Sequence, residues 1–282
     1  MDLQTFFQTY SSVSIAFSGG CDSAFLLHQA KKYAHRAEAF YVKSDFQPAF
    51  ELEDAKRLCQ ELAVTLHILP VAVLSNPNVC NNNENRCYYC KKMLFSTIKE
   101  AAANLGFPVV CDGTNASDDS SNRPGMKALE ELQILSPLRI AGLTKAEIRN
   151  QSEKLGLFTG QKPAYACLAT RIEPNTPITR EALIQIEKNE TFLFHLGFKD
   201  FRIRSMGRDA CIQLREEQFE LFTSLRNEIR NGLKDSYPHI FLDLNPRLPS
   251  DGLKLIGENT SKPPACNPKL KKEVETWNPK LF

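Results

Sequence analysis

A strand, a glycine turn and a helix follow one another near the N-terminus, and that junction limits what the chain can fold into. Val13-Ser14-Ile15-Ala16-Phe17 is a short apolar run of the kind that fills a buried strand. Ser18-Gly19-Gly20-Cys21-Asp22-Ser23 comes next, and Ala24 to Ala30 reads as a helix. Paired glycines let the backbone turn tightly and approach another group closely. The start of a helix presents unpaired N–H groups and the positive end of the helix dipole, so the junction is built to grip an anion. Ser18 and Ser23 add hydroxyl donors.

The pattern then repeats. Strands are expected at Ala37–Val42, Thr65–Leu69 and Val109–Cys111. Helices are expected at Glu51–Ala63, where Leu52, Ala55, Leu58 and Leu62 share a face, and at Cys87–Leu105, ended by Gly106. Ile134-Leu135 begins a short extended piece. Thr144 to Leu155 is a helix, with Thr144 as N-cap and Glu147 completing a capping box. Strands alternating with helices predict an α/β fold with a parallel sheet covered on both faces, whose ligands bind at the carboxyl ends of the strands.

After about residue 160 the order changes. A helix over Ile178–Leu196 is followed by a strand pair, Phe201–Ser205 and Ala210–Leu214. A helix over Glu217–Leu233 and a strand over Ile240–Leu244 complete this part. This predicts a smaller α+β second domain. The expected division is 1–160 for nucleotide binding, 161–257 for substrate and sulfur transfer, and 258–282 as a Pro-, Lys- and Asn-rich tail.

With 282 residues the chain can bury a substantial core. No apolar run is long enough to span a bilayer and Met1–Tyr10 lacks a signal pattern, so a cytoplasmic protein with no membrane partner is expected. The net charge of +2 does not point to a general nucleic-acid binder. Nine cysteines, an odd number with no sign of export, suit metal or thiol chemistry better than a disulfide framework. Cys59 and Cys111 lie in apolar patterns and read as small core residues, and Cys21 as a packed residue at a helix start.

The glycine turn lacks the Gly-Lys-Ser/Thr ending of a Walker A loop, and it is not Gly-x-Gly-x-x-Gly. It resembles the PP-loop, Ser-Gly-Gly-x-Asp-Ser, of the ATP pyrophosphatases. Those enzymes cleave ATP between its α and β phosphates and transfer AMP to a substrate oxygen. The resemblance implies that Ser18, Gly19, Gly20 and Ser23 bind the pyrophosphate end and that Asp22 helps hold Mg²⁺.

Arg86-Cys87-Tyr88-Tyr89-Cys90-Lys91 contains Cys-x-x-Cys. Alone this spacing is open to zinc, an iron–sulfur cluster, a redox disulfide or chance, and zinc would need two further ligands. Cys167, in Ala166-Cys167-Leu168-Ala169-Thr170-Arg171, is a third thiol. Three cysteines would hold a [4Fe–4S] cluster and leave one iron open; otherwise they are unrelated thiols.

The ordered set of motifs is similar to the LarE family, ATP-dependent sulfur transferases of nickel-pincer nucleotide synthesis. The likeness spans most of residues 12–215. It runs through Ser18–Ser23, Arg86–Lys91, Asp112-Gly113-Thr114-Asn115-Ala116, Arg123-Pro124-Gly125 and Ser136-Pro137-Leu138. It continues through Gly142–Arg149, Cys167–Arg171 and Phe201-Arg202-Ile203-Arg204. Thr170 stands where the family usually has serine. The resemblance implies adenylation of a carboxylate of pyridinium-3,5-biscarboxylic acid mononucleotide and its conversion to a thiocarboxylate. It places ATP near Gly113 and Thr114. Cys167 matches the active-site cysteine and, with Cys87 and Cys90, the ligand set of cluster-bearing members. Arg171, Glu190, Arg202 and Arg204 match substrate-binding positions, and alternation on a strand puts Arg202 and Arg204 on one face, where arginine forks suit carboxylate and phosphate. A hexamer, and sulfide donor or acceptor proteins of the same pathway, are the partners implied. The rival readings are a tRNA thiolase, an amide-forming PP-loop synthetase and a nucleotide sensor without catalysis.

Overall fold

The computed structural model describes residues 1–118 and 124–248. Arg123, Cys266 and the tail from 258 to 282 lie outside the described residues. The chain opens with α1 (Leu3–Thr9), whose N-cap Asp2 accepts a hydrogen bond from the Thr5 N–H at 2.8 Å. Leu3, Phe6 and Phe7 are its buried positions, the spacing of one helical face.

A four-stranded sheet follows. It consists of β1 (Ser12–Ala16), β2 (Arg36–Lys43), β3 (Leu66–Pro70) and β4 (Val109–Cys111), in the order β3-β2-β1-β4. All pairs are parallel, and Ile15 of β1 lies opposite Ala39 of β2 and Cys111 of β4. The central strand buries Val13, Ser14 and Ile15 completely, as expected of a parallel strand covered on both faces. The covering helices are α2 (Cys21–Tyr33), α3 (Ala49–Glu61), the short α4 (Pro77–Cys80), α5 (Arg86–Asn104), α6 (Pro124–Glu131), the short α7 (Pro137–Ile140) and α8 (Lys145–Lys154). Phe25, Leu26 and Leu27 of α2 join Phe6, Phe7, Val13 and Ile15 in one apolar core. Each such side chain contributes about 1.5–3 kcal/mol by leaving water. The fold is therefore α/β with a parallel sheet, as the alternating pattern predicts. The extended piece expected at Ile134-Leu135 is a single bridge, Leu135 to Cys111, beside β4.

Around a second core stand α9 (Arg180–His195), β5 (Arg202–Met206), β6 (Asp209–Gln213), α10 (Phe219–Ser224), α11 (Arg226–Leu233) and β7 (Ile240–Leu242). β5 and β6 form the expected antiparallel pair, and β7 adds to β6 in parallel. The helix expected over Glu217–Leu233 is broken at Leu225, which has φ −101° and ψ 12°. Thr223 and Ser224 donate their hydroxyls to the carbonyls of Phe219 and Leu221, competition that weakens a helix at this point. The break lets Leu225 turn into the second core. In α11, Gly232 sits where a Cβ would come within 2.3 Å of the Phe192 ring, so glycine there permits α11 to cross α9 closely. Thr144 caps α8 and forms the predicted capping box with Glu147. Among the described residues no helix is long and apolar enough to cross a membrane.

Candidate active site

The turn after β1 is shaped by a glycine that nothing else could replace. Gly19 has φ +74°, and a Cβ there would lie 3.0 Å from the carbonyl oxygen of Glu51 on α3. Gly20 is the N-cap of α2 and no side chain caps that helix, so its first N–H groups have the arrangement that receives an anion. Ser18 and Ser23 bridge the turn with their hydroxyl oxygens 3.1 Å apart, and Ser23 Oγ also donates to the Gly20 carbonyl at 3.1 Å. Gly113, after β4, presses on the same helix start: a Cβ there would lie 3.0 Å from the Ser23 nitrogen. These segments enclose a cleft of about 310 Å³ whose lining includes Ser18, Asp22, Lys91, Asp112, Thr114 and Asp118.

Asp22 defines the charge of the cleft. Its Oδ2 is 2.6 Å from Lys145 Nζ, while its Oδ1 is buried without a hydrogen-bond partner among the described residues. Burial raises its carboxyl above the usual range, and Lys145 opposes that rise. A buried carboxylate oxygen left unpaired on a cleft-lining residue fits a divalent cation, a hard ion that prefers oxygen ligands. Asp112 is committed to the protein: Ser136 Oγ donates to its Oδ1 at 2.6 Å and the Thr114 hydroxyl to its Oδ2. Cys21 is buried, with its Sγ 3.8 Å from Ser152 Oγ, and packs the helix start as expected.

The three cysteines of the sulfur reading approach one another. Cys87 and Cys90 stand one turn apart on α5, and Cys90 and Cys167 pack on the same apolar cluster around Val79, Leu168 and Ile172. Burial pushes the Cys90 thiol up to about 12, and thiolate charge at Cys167 or Cys87 raises it too. The Cys167 thiol is likewise raised, first by burial, with Cys87 adding to the rise and Arg86 and Arg171 opposing it. Arg86 ties the elements together by donating to the Ala169 carbonyl at 3.0 Å, with its other amino group 3.7 Å from Cys87 Sγ. Among the described residues no group of three or more His, Cys, Asp or Glu side chains is disposed around a single metal ion. A donor set made only of thiols suits an iron–sulfur cluster, whereas a lone zinc would need a fourth ligand. Lys91, the residue after Cys90, and Phe95, further along α5, line the cleft beside the turn, so a single helix serves both places.

Arg171 and Glu190 meet each other. Arg171 Nε and Nη2 contact the two Glu190 oxygens at 2.9 and 3.0 Å, and the two side chains are 0% and 1% exposed. Arg171 Nη1 donates to the carbonyl of Ala166 at 2.7 Å and to Thr170 Oγ1 at 2.9 Å. The Tyr165 hydroxyl and the Ile203 N–H also donate to Glu190. Both were expected at the substrate; their burial and full set of protein partners mean that direct contact with a ligand would require the pair to open. Arg202 is buried beside them, donating to the Ala164 carbonyl at 2.7 Å, and burial lowers its guanidinium to about 10, with Arg171 and Arg247 adding to the fall. Arg204, partly buried, donates to the Thr170 carbonyl and to Gln213 Oε1 at 2.9 Å.

Several members of the site carry no strong sequence signal. Lys91 is hidden in a lysine pair, and Lys145 looks like an ordinary residue of a first helical turn. Glu51 reads as a solvated helix residue, yet burial raises its carboxyl to about 7, with Lys162, Arg171 and Lys43 opposing and Asp54 assisting. Its helix also joins the two halves of the site. The Glu51 carbonyl touches the Gly19 position, Phe50 meets Tyr165 edge to face at 5.0 Å, and Asp54 holds Lys162 at 2.6 Å. The Asp112-Gly113-Thr114 segment was legible only through the family resemblance; in the structure it directly follows β4.

The chain is similar to several known proteins. Residues 12–84, from β1 through the loop after α4, match the family described as queuosine biosynthesis protein QueC. An uncharacterised protein of Synechocystis sp. is 34% identical over 86% of this chain and 92% of its own. A pyridinium-3,5-bisthiocarboxylic acid mononucleotide synthase of Lactiplantibacillus plantarum is 31% identical over 82% of this chain and 85% of its own. A tRNA-specific 2-thiouridylase of Thermotoga petrophila is more distant, at 25% identity over 53% of this chain and 54% of its own.

Two measurements follow from the geometry. Gly113→Ala places a methyl group against the Ser23 nitrogen. ATP affinity, read by calorimetry, is expected to fall by on the order of tenfold, a cost of about 1.4 kcal/mol; unchanged affinity would separate the nucleotide from this cleft. The second concerns pH. A Glu51 pKa of about 7 in the fold against 4.5 in the open chain means that the native state binds more protons across that window. Stability therefore falls as pH rises through it. Between about pH 5 and 7 the wild type should lose about 2 kcal/mol of unfolding free energy relative to Glu51→Gln, read by urea titration at each pH.

Proposed function

Because this chain belongs to the LarE family, the pyridinium-3,5-bisthiocarboxylic acid mononucleotide synthases, we propose that it is the ATP-dependent sulfurtransferase acting on pyridinium-3,5-biscarboxylic acid mononucleotide. The observation that supports this most is α5, which carries Cys87 and Cys90 and then Lys91, the next residue, and Phe95, five residues beyond Cys90, both of which line the phosphate cleft. A reaction that activates a carboxylate with ATP and then replaces its oxygen with sulfur needs those two functions side by side.

In this reading the nucleotide's phosphates lie on the turn Ser18–Ser23, cradled by the N–H groups at the start of α2 and faced by Gly113 and Thr114. Mg²⁺ held through Asp22 would offset phosphate charge. A substrate carboxylate oxygen attacks the α-phosphorus, the bond to the β-phosphate oxygen breaks, and pyrophosphate leaves. The N–H groups of the turn bear the developing negative charge. A sulfur nucleophile then attacks the acyl carbon of the adenylate and AMP departs, leaving the thiocarboxylate. Arg204, and Arg202 once its hydrogen bond to the Ala164 carbonyl opens, hold substrate carboxylate or phosphate, while Arg171 and Glu190 keep the Cys167 loop in place beside them. Cys87, Cys90 and Cys167 would hold a [4Fe–4S] cluster, which would supply an iron open to sulfide. The division into 1–160 and 161–257 is read as nucleotide-binding and sulfur-transfer parts. A cytoplasmic homo-oligomer, a hexamer by likeness to the family, completes the proposal, with donor or acceptor proteins of the same pathway as partners.

The test is anaerobic turnover with ATP, Mg²⁺, the dicarboxylate nucleotide and sulfide, followed by pyrophosphate assay and intact-mass spectrometry. Pyrophosphate release should require the organic nucleotide, and the protein mass should stay constant over many turnovers. Loss of the mass of one H₂S after a single turnover would make the Cys167 sulfur the one transferred. Pyrophosphate release without the organic nucleotide would overturn the assignment.

A further inference from the structure

Lys145 and Asp22, a residue lining the cleft, are 123 residues apart in sequence and form an ion pair at 2.6 Å. Their side chains are 16% and 24% exposed, so water screens the pair only in part. The root of Lys145 is fixed from several sides. Thr144 and Glu147 close the capping box around it, its own N–H donates to Ser117 Oγ at 3.0 Å, and Ala116 N–H donates to the Leu143 carbonyl at 2.8 Å. The loop after β4 and the start of α8 are thereby held together. What remains free to move is the four-carbon stem with its ammonium, a compact point charge with rotatable donors.

We propose that Lys145 stands in for the divalent cation at Asp22: its ammonium holds the carboxylate until nucleotide arrives, then passes to the phosphates as the cation takes Asp22. This inference rests on the reading of the cleft as the ATP site. The charges require an exchange of this kind. The carboxylate cannot stay buried and unpaired at low cost. A dication on Asp22 repels an ammonium within hydrogen-bond distance, and the incoming phosphates are the anions nearest to receive it. Of the other acids lining the cleft, Asp112 is occupied by Ser136 and Thr114, and Asp118 Oδ2 accepts from the Asn115 N–H at 3.0 Å. The unpartnered Oδ1 of Asp22 is the oxygen through which the cation gains its first hold. Cation and ammonium compete for one carboxylate in the nucleotide-free protein, and ATP relieves that competition by offering the ammonium another partner, so metal and nucleotide bind cooperatively.

Lys145→Met removes the charge and keeps the stem, and it separates the two affinities by sign. Binding of Mn²⁺ to nucleotide-free protein, read by the free-ion electron paramagnetic resonance signal, should tighten by roughly tenfold, and binding of ATP in excess chelator, read by calorimetry, should weaken by roughly tenfold. Lys145→Gln should show the same opposed pair, and Lys145→Arg, which keeps a cation, should stay near wild type in both. A loss of both affinities in a variant with wild-type circular dichroism, or no change in either, overturns the proposal. The wild-type control separates the two levels: if the wild type does not bind ATP with or without metal, the ATP reading itself falls, and the exchange with it.

Discussion

The sulfur side of this molecule depends on one buried ion pair. Arg171 and Glu190 meet through two contacts with almost no exposed surface, and their remaining atoms tie down the chain around them. Through Arg171 the pair fixes the Ala166 carbonyl and Thr170, and through Glu190 it receives Tyr165 and the backbone of β5. The loop that carries Cys167 thus has its position set by α9 and β5, elements of the second core. Removing one partner of such a pair strands the other charge, a loss of about 3–5 kcal/mol. Just before this loop, Lys162 is held in turn by Asp54 of α3 at 2.6 Å.

The nucleotide side is fixed by different means, backbone approach instead of charge. Gly19 against α3 and Gly113 against α2 leave no room for side chains, so the turn after β1 is shaped by main-chain atoms in close approach. Two helices join the sides. The first turns of α3 touch Gly19 through Glu51, Tyr165 through Phe50 and Lys162 through Asp54, and α5 passes from the thiols to the cleft. In the proposed reaction, activation at the cleft and sulfur attack at the thiols are therefore joined by α5 itself.

Much of this was readable in the chain. The turn after β1 announced itself because glycines, a buried strand and a helix start must coincide for that backbone to exist. The capping box at Thr144 and Glu147 is local chemistry, so local sequence revealed it. Other features depend on meetings that sequence order hides. Nothing in Glu190 alone says that it will saturate Arg171, and nothing in Lys145 says that it will find Asp22. Matching Arg171 and Glu190 to a binding role missed their burial, because a family position records a residue type and not its partners. The break at Leu225 escaped the helical pattern because it is decided by side-chain hydroxyls and by the inward demand of the second core.

The central claim is that carboxylate activation on the β1 turn and sulfur delivery at the thiols are separate operations sharing one edge of the sheet. Isotope exchange between pyrophosphate and ATP tests it directly in a protein with Cys87, Cys90 and Cys167 all replaced by alanine. The account predicts that exchange persists, needs the dicarboxylate nucleotide, and yields no thiocarboxylate. Exchange that vanishes with the thiols in a correctly folded protein, or that runs without the organic nucleotide, would contradict it.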